Sequence, residues 1–489
     1  MGVQPSFLFL LAFAQIFILI ITCVWFQYDD TYTTPIEFTK YTTQEEYEEL
    51  FQETPYLDPT TERYFLYFIN ISLLILIGIG LRLSYLWNYS RSGLCYTFFI
   101  TVFCLQFTIV CNALFEQSND GEFSKYKLSL TTLIEGLFGS LTMVIAFGAL
   151  LGRITLLQLF VVAVFGCFGY SLNRYITILH YGAIDLGGSM LIHMFGSIYG
   201  ITISFFISKM KSLNHRMNAS EAITDIFSLI GTLFMWILFP SLNAALAIPS
   251  GKYRAIINTF FALVTCTLIV YAMSLLFHKF KFSVIDVRNS TLAGGVAIAT
   301  CAHLYISPIG SLIIGLVTGF FVAIGTSLLQ PTLKQIIGFQ DTVGVGTLHL
   351  IPGIIGGFSG MIATAIGEND KTVYNGAYEN IFPKGDDQLK YQFICLVTSL
   401  GMAILFGIIS GFVIRFFSIK PRNYFNDSEH FLEESFDFSS QKSSPKPNQQ
   451  LKNNNLKNKE SSKFEFKPDH HSEDHQLNSS LTEFSSDNK

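Results

Sequence analysis

Two nine-residue segments hold the side chains best placed to do chemistry: "DLGGSMLIH", Asp185 to His193, and "DTVGVGTLH", Asp341 to His349. In each, a glycine follows the aspartate by three positions and a histidine follows it by eight. A neutral imidazole offers one donor and one acceptor nitrogen without a fixed charge. One histidine in an apolar stretch is commonly a packing residue, but ionisable groups are costly inside a membrane and mark pathways or cavities. Two in matching segments point to a polar site shared by His193 and His349. The aspartates precede helix starts, where a carboxylate accepts backbone N–H bonds and meets the positive end of the helix dipole. For Asp341 that structural role is the expectation; for Asp185, capping a helix and stabilising a passing cation stand side by side.

The composition says which elements carry these segments. Half of the 489 residues are apolar and 14% are charged, which is a bilayer composition. At roughly 20 apolar residues per crossing, the chain divides into twelve spans near 6–27, 64–84, 94–115, 129–151, 155–173, 183–207, 223–240, 255–277, 289–303, 308–328, 345–366 and 392–417. His193 falls on the sixth and His349 on the eleventh, so the two helices run in opposite directions. That is the mark of an inverted-topology repeat, whose pseudo-two-fold axis in the membrane plane brings paired residues together at mid-depth. Glycines crowd both segments, from Gly187 to Gly200 and from Gly344 to Gly360, as close helix packing in lipid favours. The expected fold is an all-α integral membrane protein of about 12 transmembrane helices: one N-terminal helix, two inverted five-helix repeats and a C-terminal helix.

Four regions follow: a transmembrane helix at 1–27, an acidic extracytoplasmic loop at 28–63, the main transmembrane domain at 64–420 and a disordered cytoplasmic tail at 421–489. The first run lacks a basic leader and is longer than a signal-peptide core, so it reads as a helix. Basic residues such as Arg91, Arg153, Lys211 and Lys281 fall on one side, whereas Asp29–Glu62 carries ten carboxylates against one lysine. The bias of basic residues towards the cytoplasm then places both termini there. The tail is too polar to bury the surface that would offset its chain entropy. The net charge of −5 resides mainly in loop and tail and gives no surface for nucleic acid. The eight cysteines show no CxxC spacing, which argues against a disulfide framework, a zinc site or any other metal or cofactor. An intramembrane haem or copper enzyme would need a further ligand pair. His180 and His303 sit near the outer ends of their spans and read as interfacial, so no enzyme is expected.

The segments "DLGGSMLIHMFGSIYG", "GTLFMWILFPSLNAAL", "NSTLAGGVAIATCAHLYISPIGSLIIG" and "DTVGVGTLHLIPGIIGG" occur in this order. With them the chain resembles the Rh branch of the Amt/Mep/Rh ammonium transporter superfamily over roughly residues 5–420. The resemblance implies a homotrimer with a separate narrow pore through each protomer. It also implies that His193 and His349 are the twin pore histidines, that Asp185 is the acidic residue preceding the first of them, and that Phe138 and Phe234 gate the outer entrance. One position departs from the pattern: "LNRYI" places Arg174 in the vestibule where some transporting relatives carry an acidic residue, and a cation there is expected to repel ammonium.

Moving an unpaired cation through an apolar pore is costly, whereas neutral ammonia crosses cheaply. The expected activity is therefore an ammonia/ammonium channel or transporter that deprotonates ammonium at the entrance and conducts ammonia past the histidines. Methylammonium and carbon dioxide are further candidate substrates. A non-conducting scaffold or ammonium sensor is the competing class. The membrane is expected to be the plasma membrane or that of an internal vacuole.

Overall fold

The computed structural model describes residues 5–28, 59–120, 124–207, 212, 214–338, 340–374, 376, 378–416 and 423–432. Most of the acidic loop expected at 28–63, and the tail beyond 432, lie outside the described residues. Among the described residues, eleven helices are long and apolar enough to cross a membrane. In chain order they are α1 (Ser6–Trp25), α2 (Tyr64–Leu83), α3 (Ser90–Ser118), α4 (Leu130–Leu150), α5 (Leu156–His180), α6 (Ser189–Ile207), α7 (Ala222–Ala244) and α8 (Gly251–Phe277), then α11 (Ser307–Ile337), α12 (Gly346–Asn369) and α13 (Gly385–Phe416). Between α8 and α11 lie two short helices, α9 (Val284–Ser290) and α10 (Ala293–Ile298).

The span expected at 289–303 is thus not one helix. Its glycines let neighbouring helices approach closely: a Cβ on Gly294 would meet the Ala262 carbonyl, and one on Gly295 would lie 2.6 Å from the Phe239 ring. The segment is packed on every side and does not need the length of a lipid-facing helix. The geometry nevertheless requires it to cross. Phe7 packs on Phe99 and Phe160, while the Trp25 indole donates to Gln117 at 2.6 Å, so α1 runs parallel to α3. Residues 423–432 bind the start of α3, which puts both ends of the described chain on one face, here called inner, with the outer face opposite. Eleven crossings would leave them on opposite faces. Arg288 on α9 stacks over Tyr85 at 3.9 Å near the inner end of α2, and His303 after α10 opens on the outer cavity, so the broken segment supplies the twelfth crossing.

Helix starts fix the depth of the side chains that matter. Ser129 and Thr132 form a reciprocal cap on α4, and Thr155 and Gln158 form one on α5; each satisfies backbone donors that a helix otherwise leaves open. The strands β1 (Phe26–Tyr28) and β2 (Tyr126–Leu128) pair in parallel and tie the end of α1 to the entry of α4.

The tail expected to be disordered from 421 is ordered at 423–432. Phe425 is fully buried and its N–H donates to Gly152 O at 2.9 Å. Asp427 accepts from Ser92 N at 2.8 Å, Ser92 Oγ at 2.6 Å and Arg91 N at 3.1 Å, capping α3 from a distant part of the chain. Composition failed here because one aspartate at a helix start and one buried ring outweigh a polar average.

Candidate functional site

The two Asp-Gly-His segments fold alike. Asp185 Oδ2 accepts from Met190 N at 2.9 Å and Leu191 N at 2.7 Å, and Oδ1 accepts from Thr300 Oγ1 at 2.5 Å. Asp341 Oδ1 accepts from Gly344 N and Val345 N, both at 3.0 Å, and Oδ2 from Gly346 N at 2.7 Å. Each carboxylate therefore saturates the first N–H groups of the helix that carries a histidine, α6 or α12. The shared glycine has a physical reason: Gly188 has φ +77° and Gly344 φ +84°, a left-handed turn that costs a side-chain-bearing residue about 1–2 kcal/mol.

Both helices open with a wider, π-type turn, Ser189–Met194 and Gly346–Leu350. In the first of these, His193 N donates to Gly188 O, five residues back, at 2.9 Å. Such turns rotate side chains out of α register and recur at functional sites. The helices cross antiparallel: Gly353 and Gly356 abut Ser189 at the start of α6, while Gly346 at the start of α12 approaches Ile201 further along it.

At the crossing His193 Nδ1 and His349 Nδ1 lie 3.1 Å apart. The ring centroids are 5.1 Å apart with planes inclined by only 9°. A nitrogen separation so much shorter than the centroid separation means that the rings meet edge to edge, nearly coplanar, rather than face to face. Both side chains are buried, and His193 Nε2 has no hydrogen-bond partner among the described residues. Phe239 lies against His193 at 5.8 Å, a position open to it because residue 295 is glycine.

On the outer side is a cavity of about 300 Å³ lined by Glu135, Phe138, Tyr170, Arg174, Asp185, Leu191, Ile192 and His303, among others. Its lining includes Leu191 and Ile192 but not His193. On the inner side is a smaller cavity of about 50 Å³ lined by Arg153, Gln340, Asp341, Thr342 and Phe425, among others. Arg153 donates to Gln340 Oε1 at 2.9 Å and to Ser204 Oγ at 3.0 Å, which holds that mouth together.

Three expectations change. Phe138 lines the outer cavity, but Phe234 faces outward and is 39% exposed. The ring of α7 that reaches the histidines is Phe239, five residues on, which at about 100° per residue is roughly 140° round the helix. Arg174 is not a free cation: Nη1 bonds Glu116 and Nη2 bonds Glu135, each at 2.6 Å, leaving one negative charge in excess. His303 is not interfacial; it is 6% exposed and lines the outer cavity. Sequence reasoning missed Glu116, Glu135 and Phe239. Glu135 carried a faint signal, an acidic residue inside an apolar span and one helical turn before Phe138.

An imidazole pair at the crossing of two inverted repeats, enclosed between cavities on opposite faces, defines a multi-pass membrane protein with a mid-depth polar site. The sequence profile described as the Ammonium Transporter Family matches residues 63–420. Rhesus-like glycoprotein B of Dictyostelium discoideum is 34% identical over 440 residues, covering 86% of this chain and 72% of that protein. Ammonium transporter Rh type B of Takifugu rubripes is 32% identical over 375 residues, covering 74% of this chain and 81% of that protein. The solved structure of Nitrosomonas europaea Rh50, described with the mechanism of conduction by the Rhesus family of channels, aligns with TM-score 0.67 at 29% identity, covering 78% of this chain and 95% of that one. The chain belongs to the ammonium transporter family, in its Rh branch.

Proposed function

We propose that the protein conducts ammonia across a membrane, drawing ammonium into the outer cavity and passing ammonia along the coplanar imidazoles of His193 and His349. The observation that carries this is the 3.1 Å Nδ1 to Nδ1 contact buried between the two cavities. With both rings neutral, one shared proton at the Nδ1 contact leaves one bare Nε2 and one Nε2–H. The pair thus offers both an acceptor and a donor to a small neutral amine without presenting a fixed charge. A bare cation finds no counter-charge there and pays the desolvation penalty.

Phe138, which lines the outer cavity, excludes hydrated ions and attracts a cation to its ring face. Phe239 replaces Phe234 as the second ring of the constriction. Asp185 and Asp341 act as caps, because their oxygens are already engaged. Arg174 orients the two carboxylates of the vestibule instead of repelling the substrate. The homotrimer, cytoplasmic placement of both termini and passage of methylammonium or carbon dioxide belong to the same proposal.

The test is stopped-flow internal pH in proteoliposomes under an ammonium gradient, comparing wild type with a His193→Ala/His349→Ala double variant. Fast alkalinisation that the double variant alters supports the reading. Rates equal to empty liposomes for both would favour a scaffold or sensor.

A further inference from the structure

Arg82 carries a buried charge that the steps described above do not use. It stands next to the last residue of α2 and is 2% exposed. Among the described residues its guanidinium donates to two neutral oxygens, Nη2 to Asn289 Oδ1 at 3.0 Å and Nε to Arg288 O at 3.4 Å. Three carboxylates on neighbouring elements are engaged elsewhere. Asp225 lies 3.7 Å from Arg288 Nη1, Asp286 lies 3.0 Å from His278 Nε2, and Asp341 takes three N–H groups at the start of α12. A charge buried without an ion-pair partner is among the costliest arrangements in a fold, and a methionine here would avoid it. The surroundings show where this charge acts. Arg288 and Asn289 lie at the end of α9, which packs against Gly346–Leu350, the turn of α12 that carries His349. Asn289 Nδ2 lies 2.9 Å from where a Cβ on Gly344 would stand, and Tyr85 donates to Thr342 O at 2.6 Å. The Arg82 charge is thereby held within electrostatic reach of the His349 imidazole.

We propose that Arg82 is a specificity-determining residue: a fixed positive charge beside the histidine-bearing turn of α12 that turns back cations and lets neutral ammonia pass to the inner side. This rests on the conduction reading above and deepens it. The outer cavity gathers cations, because Glu116 and Glu135 together outweigh Arg174; the inner half of the route then meets a charge of the opposite sign. Inside a membrane protein the field of one guanidinium raises the energy of ammonium, sodium and potassium alike, and it leaves an uncharged amine nearly unaffected. Arg82 acts through that field and needs no contact with the solute. The consequence is electroneutral passage, with the proton of ammonium returned to the outer side.

The experiment records two signals from proteoliposomes holding the full chain under an ammonium gradient: internal alkalinisation, and charge movement on a solid-supported membrane. Wild type is expected to alkalinise with little charge moved. Arg82→Met keeps the apolar stem and removes the charge, and should raise the charge moved per ammonia roughly tenfold, the order set by one unit charge acting across a few residues of protein. Arg82→Lys restores the charge and should restore electrical silence. Asn289→Asp leaves Arg82 in place and sets a carboxylate where Asn289 Oδ1 now accepts from Arg82 Nη2 and Arg288 Nε; it should leak charge as Arg82→Met does, and it carries the test if Arg82→Met does not assemble. A merely structural tie would make the methionine and lysine variants behave alike and leave Asn289→Asp silent. That pattern, or a wild type that moves one charge per ammonia, overturns the inference. Alkalinisation no faster than in empty liposomes sinks the conduction reading and this inference with it. Fast alkalinisation with Arg82→Met and Asn289→Asp both electrically silent sinks this inference alone.

Discussion

Replacing Asp185 with asparagine keeps the shape of the side chain and removes its charge. The carboxylate now takes Met190 N and Leu191 N on one oxygen and the Thr300 hydroxyl on the other. The amide oxygen can keep both backbone bonds, and the amide N–H can donate to the Thr300 oxygen once that hydroxyl turns. What is lost is the charge at the start of α6, worth about 1–2 kcal/mol in a partly buried geometry. Asp185→Ala instead strands two buried N–H groups at about 1–3 kcal/mol each, roughly 4 kcal/mol in all. Melting in detergent and ammonia flux in proteoliposomes, measured on the same preparations, should therefore rank wild type, Asp185→Asn and Asp185→Ala in stability. Asp185→Asn should conduct like wild type. If that variant melts like wild type but conducts tenfold more slowly, the charge serves a cation and the capping argument is refuted.

Phe239→Ala should change the selectivity between ammonia and methylammonium, read as relative uptake rates, whereas Phe234→Ala should leave both rates unchanged. Arg174→Gln leaves Glu116 and Glu135 facing each other without their shared cation, so the melting temperature should fall, and restoring it requires a second change, Glu116→Gln. At the inner face, burial between the Tyr89 and Tyr96 rings, with centroids 5.9 and 5.3 Å away, lowers the His430 pKa below its ordinary value. The undocked segment then binds the extra proton, so docking of residues 423–432 should weaken as pH falls through about 6.5. Limited proteolysis at this segment should accelerate below that pH in wild type and lose the dependence in His430→Phe.

The repeat, the opposite directions of its helices and the meeting of the histidines at mid-depth were legible because spacing alone encodes them: Asp, Gly and His recur at the same offsets, and the turn that places them needs glycine at one position. The crossing at 284–304 was legible as apolar length but not as a broken helix, since the break falls at 291–292, where no residue type marks a helix end. Arg174 was misread because its partners lie 58 and 39 residues away in the chain, beyond any local pattern. Phe234 was misassigned because motif matching gives position along a helix and not its face. His303 was placed correctly near a helix end, but whether that end meets water or a cavity depends on the loops of α7 and α8 that close over it.

The antiparallel crossing of α6 and α12 makes the centre of the proposed route nearly alike from its two ends. From either face a capped half-helix precedes an imidazole, with the Phe239 ring added on the His193 side. The mouths lack that symmetry: one carries Glu116, Arg174, Glu135 and His303, the other Arg153, Gln340, Asp341 and the Phe425 ring. On the proposed conduction reading, a difference between inward and outward rates is expected to arise chiefly at the entrances, as unequal capture of solute.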